Sequence, residues 1–133
     1  MKIRNPNSVR PWQHVLEPIS GMLILAERMY KNIEFSGGWN FGPENHREIA
    51  VKELAGTFIG LWGAGNFSIE DMRSSNEANY LQLDISKAKR DLEWTPRYNL
   101  RVALKETVEW YKTYYSGKTN VVKKTEELIE KYF

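Results

Sequence analysis

The stretch Val9–Pro18, VRPWQHVLEP, decides how this chain is read. An extended run over 9–15 followed by Glu17-Pro18 predicts a short strand feeding directly into a helix, because proline in a first helical turn forfeits no hydrogen bond. Side chains alternate along a strand, so Arg10, Trp12 and His14 would share one face and Pro11, Gln13 and Val15 the other. A guanidinium grips a diphosphate through two parallel hydrogen bonds, an indole offers a flat wall, and glutamine both donates and accepts. The competing arrangement places Trp12 in the core and leaves Arg10 and His14 to solvate an edge. The strand taken alone leans towards that second arrangement.

Working outward, MKIRNP (1–6) reads as a short extended piece ended by Pro6, with turn chemistry over Asn5–Ser8. After Pro18, Ile19, Met22, Leu23, Ala26, Met29, Tyr30 and Ile33 recur at helical spacing and predict a helix burying that stripe. Gly37-Gly38 breaks the chain, and WNFG (39–42) reads as a short buried strand. A second helix carries Val51, Leu54, Ala55, Phe58, Ile59 and Trp62 on one face and stops at Gly63 and Gly65. NFSIEDM (66–72) and YLQLD (80–84) look strand-like. A short helix begins near Ser86, whose hydroxyl is placed to cap it. Beyond Pro96 a longer helix opens at Asn99, aligns Leu100, Ala103, Leu104, Thr107, Val108, Tyr111 and Tyr115, and stops at Gly117. A last amphipathic stretch covers Val121–Phe133. Short strands alternating with helices give an α/β class, a single lobe over 1–133 with several amphipathic helices and too few strands for a complete doubly wound sheet.

Composition narrows the function classes. The chain has 133 residues, 41% of them hydrophobic and 13% aromatic, which suits one modest globular core. A net charge of +2, evenly spread, argues against nucleic acid. With no cysteine there is neither a disulfide framework nor a thiolate metal site. No apolar run approaches the ~20 residues needed to cross a bilayer, and the start of the chain lacks a signal-peptide core. The expectation is a cytoplasmic protein without membrane contact.

Catalytic signatures are missing. GLWGAGNF (60–67) has glycines, but they follow a helix and read as its stop, not as a dinucleotide-binding turn. His14 and His46 lack ligand partners at helical spacing, so no metal site is expected. No serine stands in a nucleophile context. The one Tyr-x-x-x-Lys spacing, Tyr114 to Lys118, straddles the stop at Gly117 and reads as chance. No catalytic residue is assigned.

Three stretches together resemble the C-terminal part of the CDP-glucose 4,6-dehydratase family: IRNPNSVRPWQHVLEP (3–18), GGWNFGP (37–43) and EANYLQLDISKAKRDLEWTPRYNLRVALKETVEWY (77–111). That family lies in the extended short-chain dehydrogenase/reductase group. Shared widely in the group are Arg10, Trp12, His14 and Val15, and the later pattern of Asp84, Ser86, Lys87, Ala88, Leu92, Trp94 and Pro96. The wording RPWQHVLEP is narrower. The resemblance implies a lyase of deoxysugar synthesis for surface polysaccharide, converting CDP-glucose to CDP-4-dehydro-6-deoxyglucose and water through transient reduction of NAD. It also implies a division of labour. An N-terminal Rossmann domain absent from this chain holds NAD and the Tyr-x-x-x-Lys pair, and this chain is the nucleotide-sugar-binding lobe, inactive alone.

Carried over residue by residue, Arg10 matches the diphosphate-gripping arginine. Arg4 and Asn5 lie where related enzymes hold base and ribose, with a solvated edge as the even alternative. Gln13 and His14 orient the strand or reach the sugar nucleotide, His14 leaning to structure, and Trp12 packs. Asn45 falls where some relatives contact phosphate or ribose. Glu77 and Tyr80 fall beside the nucleotide, although this chain has Asn76-Glu77-Ala78 where the family commonly reads His-Glu-Ala. Asp84 and Ser86 are assigned to a helix start, Trp94, Trp110 and Tyr111 to the core, and Lys105, Glu106 and Glu109 to a wet helix face. The missing domain would leave an apolar patch at Leu23, Ile24, Leu25 and Trp39. Two other functions remain open. One is the lobe of a different nucleotide-sugar dehydratase or epimerase, separable by competition among nucleotides. The other is a non-catalytic helical interaction module, whose many amphipathic stripes need no ligand.

Overall fold

The computed structural model describes residues 1–44, 48–70, 79–117 and 120–133. Five α-helices and two very short strands make up its regular structure: β1 (Lys2–Ile3), α1 (Leu16–Lys31), α2 (Val51–Trp62), β2 (Ser68–Ile69), α3 (Ser86–Leu92), α4 (Leu100–Ser116) and α5 (Val121–Tyr132), with a single 3-10 turn at Ile33–Phe35. β1 and β2 pair in parallel, Lys2 opposite Ser68 and Ile3 opposite Ile69. The small mixed lobe agrees with the expected α/β class.

Local chemistry sets most of the helix ends. Asn99 accepts the Val102 N–H and opens α4, and Asn120 accepts the Val122 N–H and opens α5. Gly63 (φ 88°) and Gly117 (φ 61°) end α2 and α4 in the left-handed region that glycine adopts without strain. At α3 the expected cap is corrected. The Asp84 carboxylate, not the Ser86 hydroxyl, does the capping, accepting the Ser86 N–H at 2.8 Å. A hydrogen bond from the Ser86 side chain, and after it this backbone contact, holds the Asp84 carboxyl below its ordinary range.

Three expected strands do not form. Residues 10–15 carry no ladder, because Pro11 has no donor and the Trp12 N–H turns back to the Arg10 carbonyl (2.9 Å). WNFG is buried at Phe41 and Gly42 yet unpaired, and of YLQLD only Tyr80 bridges.

Helix α1 has its faces exchanged relative to the apolar spacing. Leu16, Glu17, Ser20 and Gly21 are buried, whereas Ile19, Met22, Leu23, Tyr30 and Ile33 are exposed. The physical reason is a buried polar cluster. Glu17 is 0% exposed. Its carboxylate accepts the Arg97 N–H (3.0 Å), the Tyr98 N–H (2.7 Å) and the Tyr132 hydroxyl (2.6 Å). Ser20 Oγ lies 3.1 Å from the Tyr132 hydroxyl and accepts from the Trp94 indole N–H (2.9 Å). Each buried polar atom so satisfied avoids a desolvation cost that no apolar stripe at this position would offset. Burial, helped by the Glu17 hydrogen bond, pushes the Tyr132 phenol up to about 12. Arg97 closes the arrangement by donating to the Tyr132 carbonyl.

Two apolar clusters flank this polar centre. Phe41, Ile85, Ala88, Leu92 and Trp94 form one, with Ile24, Leu25 and Trp39 packed on it; Leu16, Leu128 and Tyr132 form the other, with Tyr98 and Trp110 against it. Gly21 is required here, since a Cβ on it would meet the Phe41 ring at 2.2 Å. Trp94 is core as expected, while Tyr111 is exposed. Glu106 departs from the wet face expected of it. It is 5% exposed and ion-paired with Lys131 of α5, which draws it inward.

His14 belongs to the same framework. It is 4% exposed, and its Nδ1 accepts the Leu16 N–H (3.2 Å), one of the unpaired donors at the start of α1. That bond requires a neutral ring protonated at Nε2. Burial, partly opposed by Glu17 and Glu106, holds its pKa below the ordinary 6.5.

Replacing Glu17 by Ala strands three donors, and urea denaturation should show a loss of about 3 kcal/mol or more; Tyr132→Phe, removing one charged hydrogen bond, should cost about 1.5–3 kcal/mol. His14 generates a pH dependence. A neutral ring favoured in the fold contributes stability that is full above pH 6.5 and is lost as the pH falls through the lower folded-state pKa. Unfolding free energy should therefore decline below that point, with a shallower slope in His14→Asn; an equal slope in both proteins contradicts this assignment.

Candidate functional site

The segment ahead of α1 is stitched to two distant parts of the chain. Val9 bridges Ala50 antiparallel on one side and Tyr80 in parallel on the other. Its N–H donates to the Asn79 carbonyl (2.9 Å), and its carbonyl accepts the Leu81 N–H (3.2 Å). The Ser8 and Pro6 carbonyls accept the Val51 and Lys52 N–H groups (3.0 and 2.9 Å). Backbone carbonyls thus satisfy donors at the start of α2, which has no side-chain cap.

This stitching leaves a cleft of about 690 Å³ between residues 1–12 and α2. Lys2, Arg4, Asn5, Ser8, Arg10 and Trp12 line one side; Val51, Leu54, Ala55 and Phe58 of α2 line the other. The apolar stripe read on α2 is therefore largely a cleft wall: only Ala55 is fully buried. Among the described residues, three basic side chains and no carboxylate line the cleft. Lys2 is paired with Glu70 at 2.9 Å, and Arg4 is exposed. Arg10 is half-buried, its Nη1 donating to the Val9 carbonyl at 2.8 Å, so the guanidinium is tethered next to the residue that bridges both flanks. Trp12 is anchored by its indole N–H on the Ile49 carbonyl (3.1 Å). Arg10 and Trp12 also border a small hollow of about 40 Å³ shared with Gln82.

The structure divides the residues singled out from the sequence. Arg4, Asn5 and Arg10 come together on one cleft. Gln13 and His14 do not join them; they line a separate, mostly apolar cleft of about 620 Å³ with Trp110 and Leu128. The shared face expected for Arg10, Trp12 and His14 is corrected accordingly, since residues 10–15 are not a strand and His14 turns into the core beside Tyr98 (ring centroids 5.6 Å apart). Gln13 Nε2 donates to the Phe41 carbonyl (2.8 Å), a contact that fastens 39–42 to the start of α1. Tyr80 sits at the Val9 bridge, with its hydroxyl on Glu48 Oε1 at 3.0 Å; burial and that carboxylate raise its pKa. Asn45 and Glu77, like Lys118 of the tyrosine–lysine spacing, lie outside the described residues. Lys2 and Ser8 were not singled out, although Ser8 sits inside the Asn5–Ser8 turn that the sequence marks.

Chemically, the cleft suits an anion with a flat, partly apolar body. Guanidinium groups meet phosphate oxygens with charge-assisted hydrogen bonds, and the α2 wall with Trp12 provides apolar contact. The described residues hold no cluster of three or more His, Asp or Glu placed to bind a metal. The glycine-bearing segment after α2 is a helix stop: the Gly63 N–H returns to the Ile59 carbonyl and Gly65 takes φ 103°. No helix among the described residues is long and apolar enough to cross a membrane.

No protein-family model matches the chain. Over 130 residues it is 40% identical to CDP-glucose 4,6-dehydratase of Salmonella typhimurium (strain LT2), an alignment that takes in 96% of this chain and 36% of that relative. Nearly the whole chain is thus similar to CDP-glucose 4,6-dehydratase, as the motifs at 3–18, 37–43 and 77–111 imply, while spanning about a third of that protein's length.

Proposed function

We propose that this chain is the nucleotide-sugar-binding portion of a CDP-glucose 4,6-dehydratase-like enzyme. The observation carrying this reading is the convergence of Arg4, Asn5 and Arg10 on one cleft, in a chain 40% identical to a dehydratase of that name. Arg10 takes the diphosphate, and its tether on the Val9 carbonyl limits the entropy lost when it binds. Arg4 and Asn5, at the end of β1, face the nucleoside end. The wall of α2 excludes water from one side of the ligand. The chain's own part in the conversion of CDP-glucose to CDP-4-dehydro-6-deoxyglucose and water is to hold and orient the substrate. NAD and the proton-transferring groups belong to a Rossmann domain outside these residues.

The exposed face of α1 supports that arrangement. The patch expected at Leu23, Ile24, Leu25 and Trp39 is only partly realised, since Ile24, Leu25 and Trp39 pack on the Phe41–Trp94 cluster. It is instead formed by Val15, Ile19, Met22, Leu23, Tyr30 and Ile33, all exposed along α1, the residue before it and the turn after it. A contiguous apolar stripe of this kind marks a surface that another body covers, and the Rossmann domain is the body proposed.

Two measurements test this reading. Titration of the protein with CDP should show Arg10→Ala binding about 10- to 100-fold more weakly, the loss of one charge-assisted phosphate contact; an affinity unchanged by that substitution refutes the assignment and favours the interaction module. In sedimentation the chain alone should self-associate through α1, and Leu23→Glu should shift it towards monomer. A monomer before the substitution removes the argument for a covered face.

A further inference from the structure

Ser8 is the cleft residue for which the fold itself has no use. It is 3% exposed, and its hydroxyl is buried without a hydrogen-bond partner among the described residues. Its backbone, by contrast, is fully engaged: the N–H donates to the Asn5 carbonyl (3.2 Å) and the carbonyl accepts the Val51 N–H (3.0 Å). The turn and the start of α2 would form equally well with alanine here. A buried hydroxyl without a partner destabilises the folded chain, and such atoms are few in native structures. This one lies in the wall of the cleft, two residues from Arg10 and three from Asn5.

We propose that Ser8 is a phosphate-recognition residue, its hydroxyl donating a hydrogen bond to a phosphate oxygen of the nucleotide gripped by Arg10. The proposal rests on the nucleotide-sugar reading above and adds to it a neutral donor that the sequence did not reveal. In the free chain the hydroxyl is turned away from solvent, and rotation about its single bond to another staggered position is what brings it to a ligand oxygen without backbone movement. The guanidinium supplies charge, and the hydroxyl supplies a directional contact beside it. Binding satisfies the donor that the free protein leaves unpaired, so part of the ligand's affinity comes from relieving that cost.

The test is Ser8→Ala, measured by titration with CDP, inorganic pyrophosphate and cytidine, together with thermal unfolding of the free protein. CDP and pyrophosphate should bind about 3- to 10-fold more weakly, cytidine should be unaffected, and the free protein should melt no lower than the parent. Unchanged CDP binding in Ser8→Ala, with Arg10→Ala still impaired, overturns the role of Ser8 and leaves the cleft assignment standing. Lower melting in Ser8→Ala assigns the hydroxyl to the fold and also overturns the proposal. If neither variant changes CDP binding, the nucleotide reading falls and this proposal with it.

Discussion

The lobe is organised around one buried carboxylate. Glu17 sits in the first turn of α1, yet its partners are the backbone at residues 97 and 98 and the phenol of Tyr132, 80 to 115 positions away in sequence. An ionised side chain with no solvent is tolerated only when its oxygens are saturated by donors. Here two backbone N–H groups and a hydroxyl provide them, so α1, the link between α3 and α4, and the end of α5 become a single unit. Remove the carboxylate, and the three segments lose the one group that all of them share, keeping the Ser20–Tyr132 and Arg97–Tyr132 contacts and their apolar packing.

That unit determines where the cleft lies. The start of α1 is held by Glu17 and by the His14 ring on the Leu16 N–H. The residues just before it are thereby delivered to Val9, which bridges residues 50 and 80. Arg10 follows immediately, and Trp12 is pinned to the Ile49 carbonyl. The aim of the guanidinium depends on three chain segments far apart in sequence. The Val9 carbonyl that tethers the guanidinium is neutral, so this tether leaves the charge of Arg10 in place.

How much of this was legible in the sequence depended on whether the deciding partner was near or far. Asn99, Gly63 and Gly117 mark helix ends because their chemistry acts within a few residues, and all three behave as read. Periodicity located α1 but chose the wrong face, because the interaction that orients it lies 80 or more residues away. The same limit explains Glu106, which looks solvated on α4 until α5 brings Lys131 to it. The supposed strand at 9–15 failed for a local reason that was visible: Pro11 interrupts any ladder. For the cleft, residue chemistry pointed to Arg10, and resemblance added Arg4 and Asn5. Ser8 carried no signal, since only a structure shows that its hydroxyl is idle.

The reversed amphipathicity of α1 has a mechanical consequence. Oily contacts are indifferent to small rotations, so a helix held by them can roll to hide its greasy side when nothing else does. A helix locked by directional bonds from Glu17 and Ser20 cannot roll without breaking them all at once. Its outer surface is therefore permanently presented at one fixed angle, ready for whatever docks there and sticky whenever nothing has.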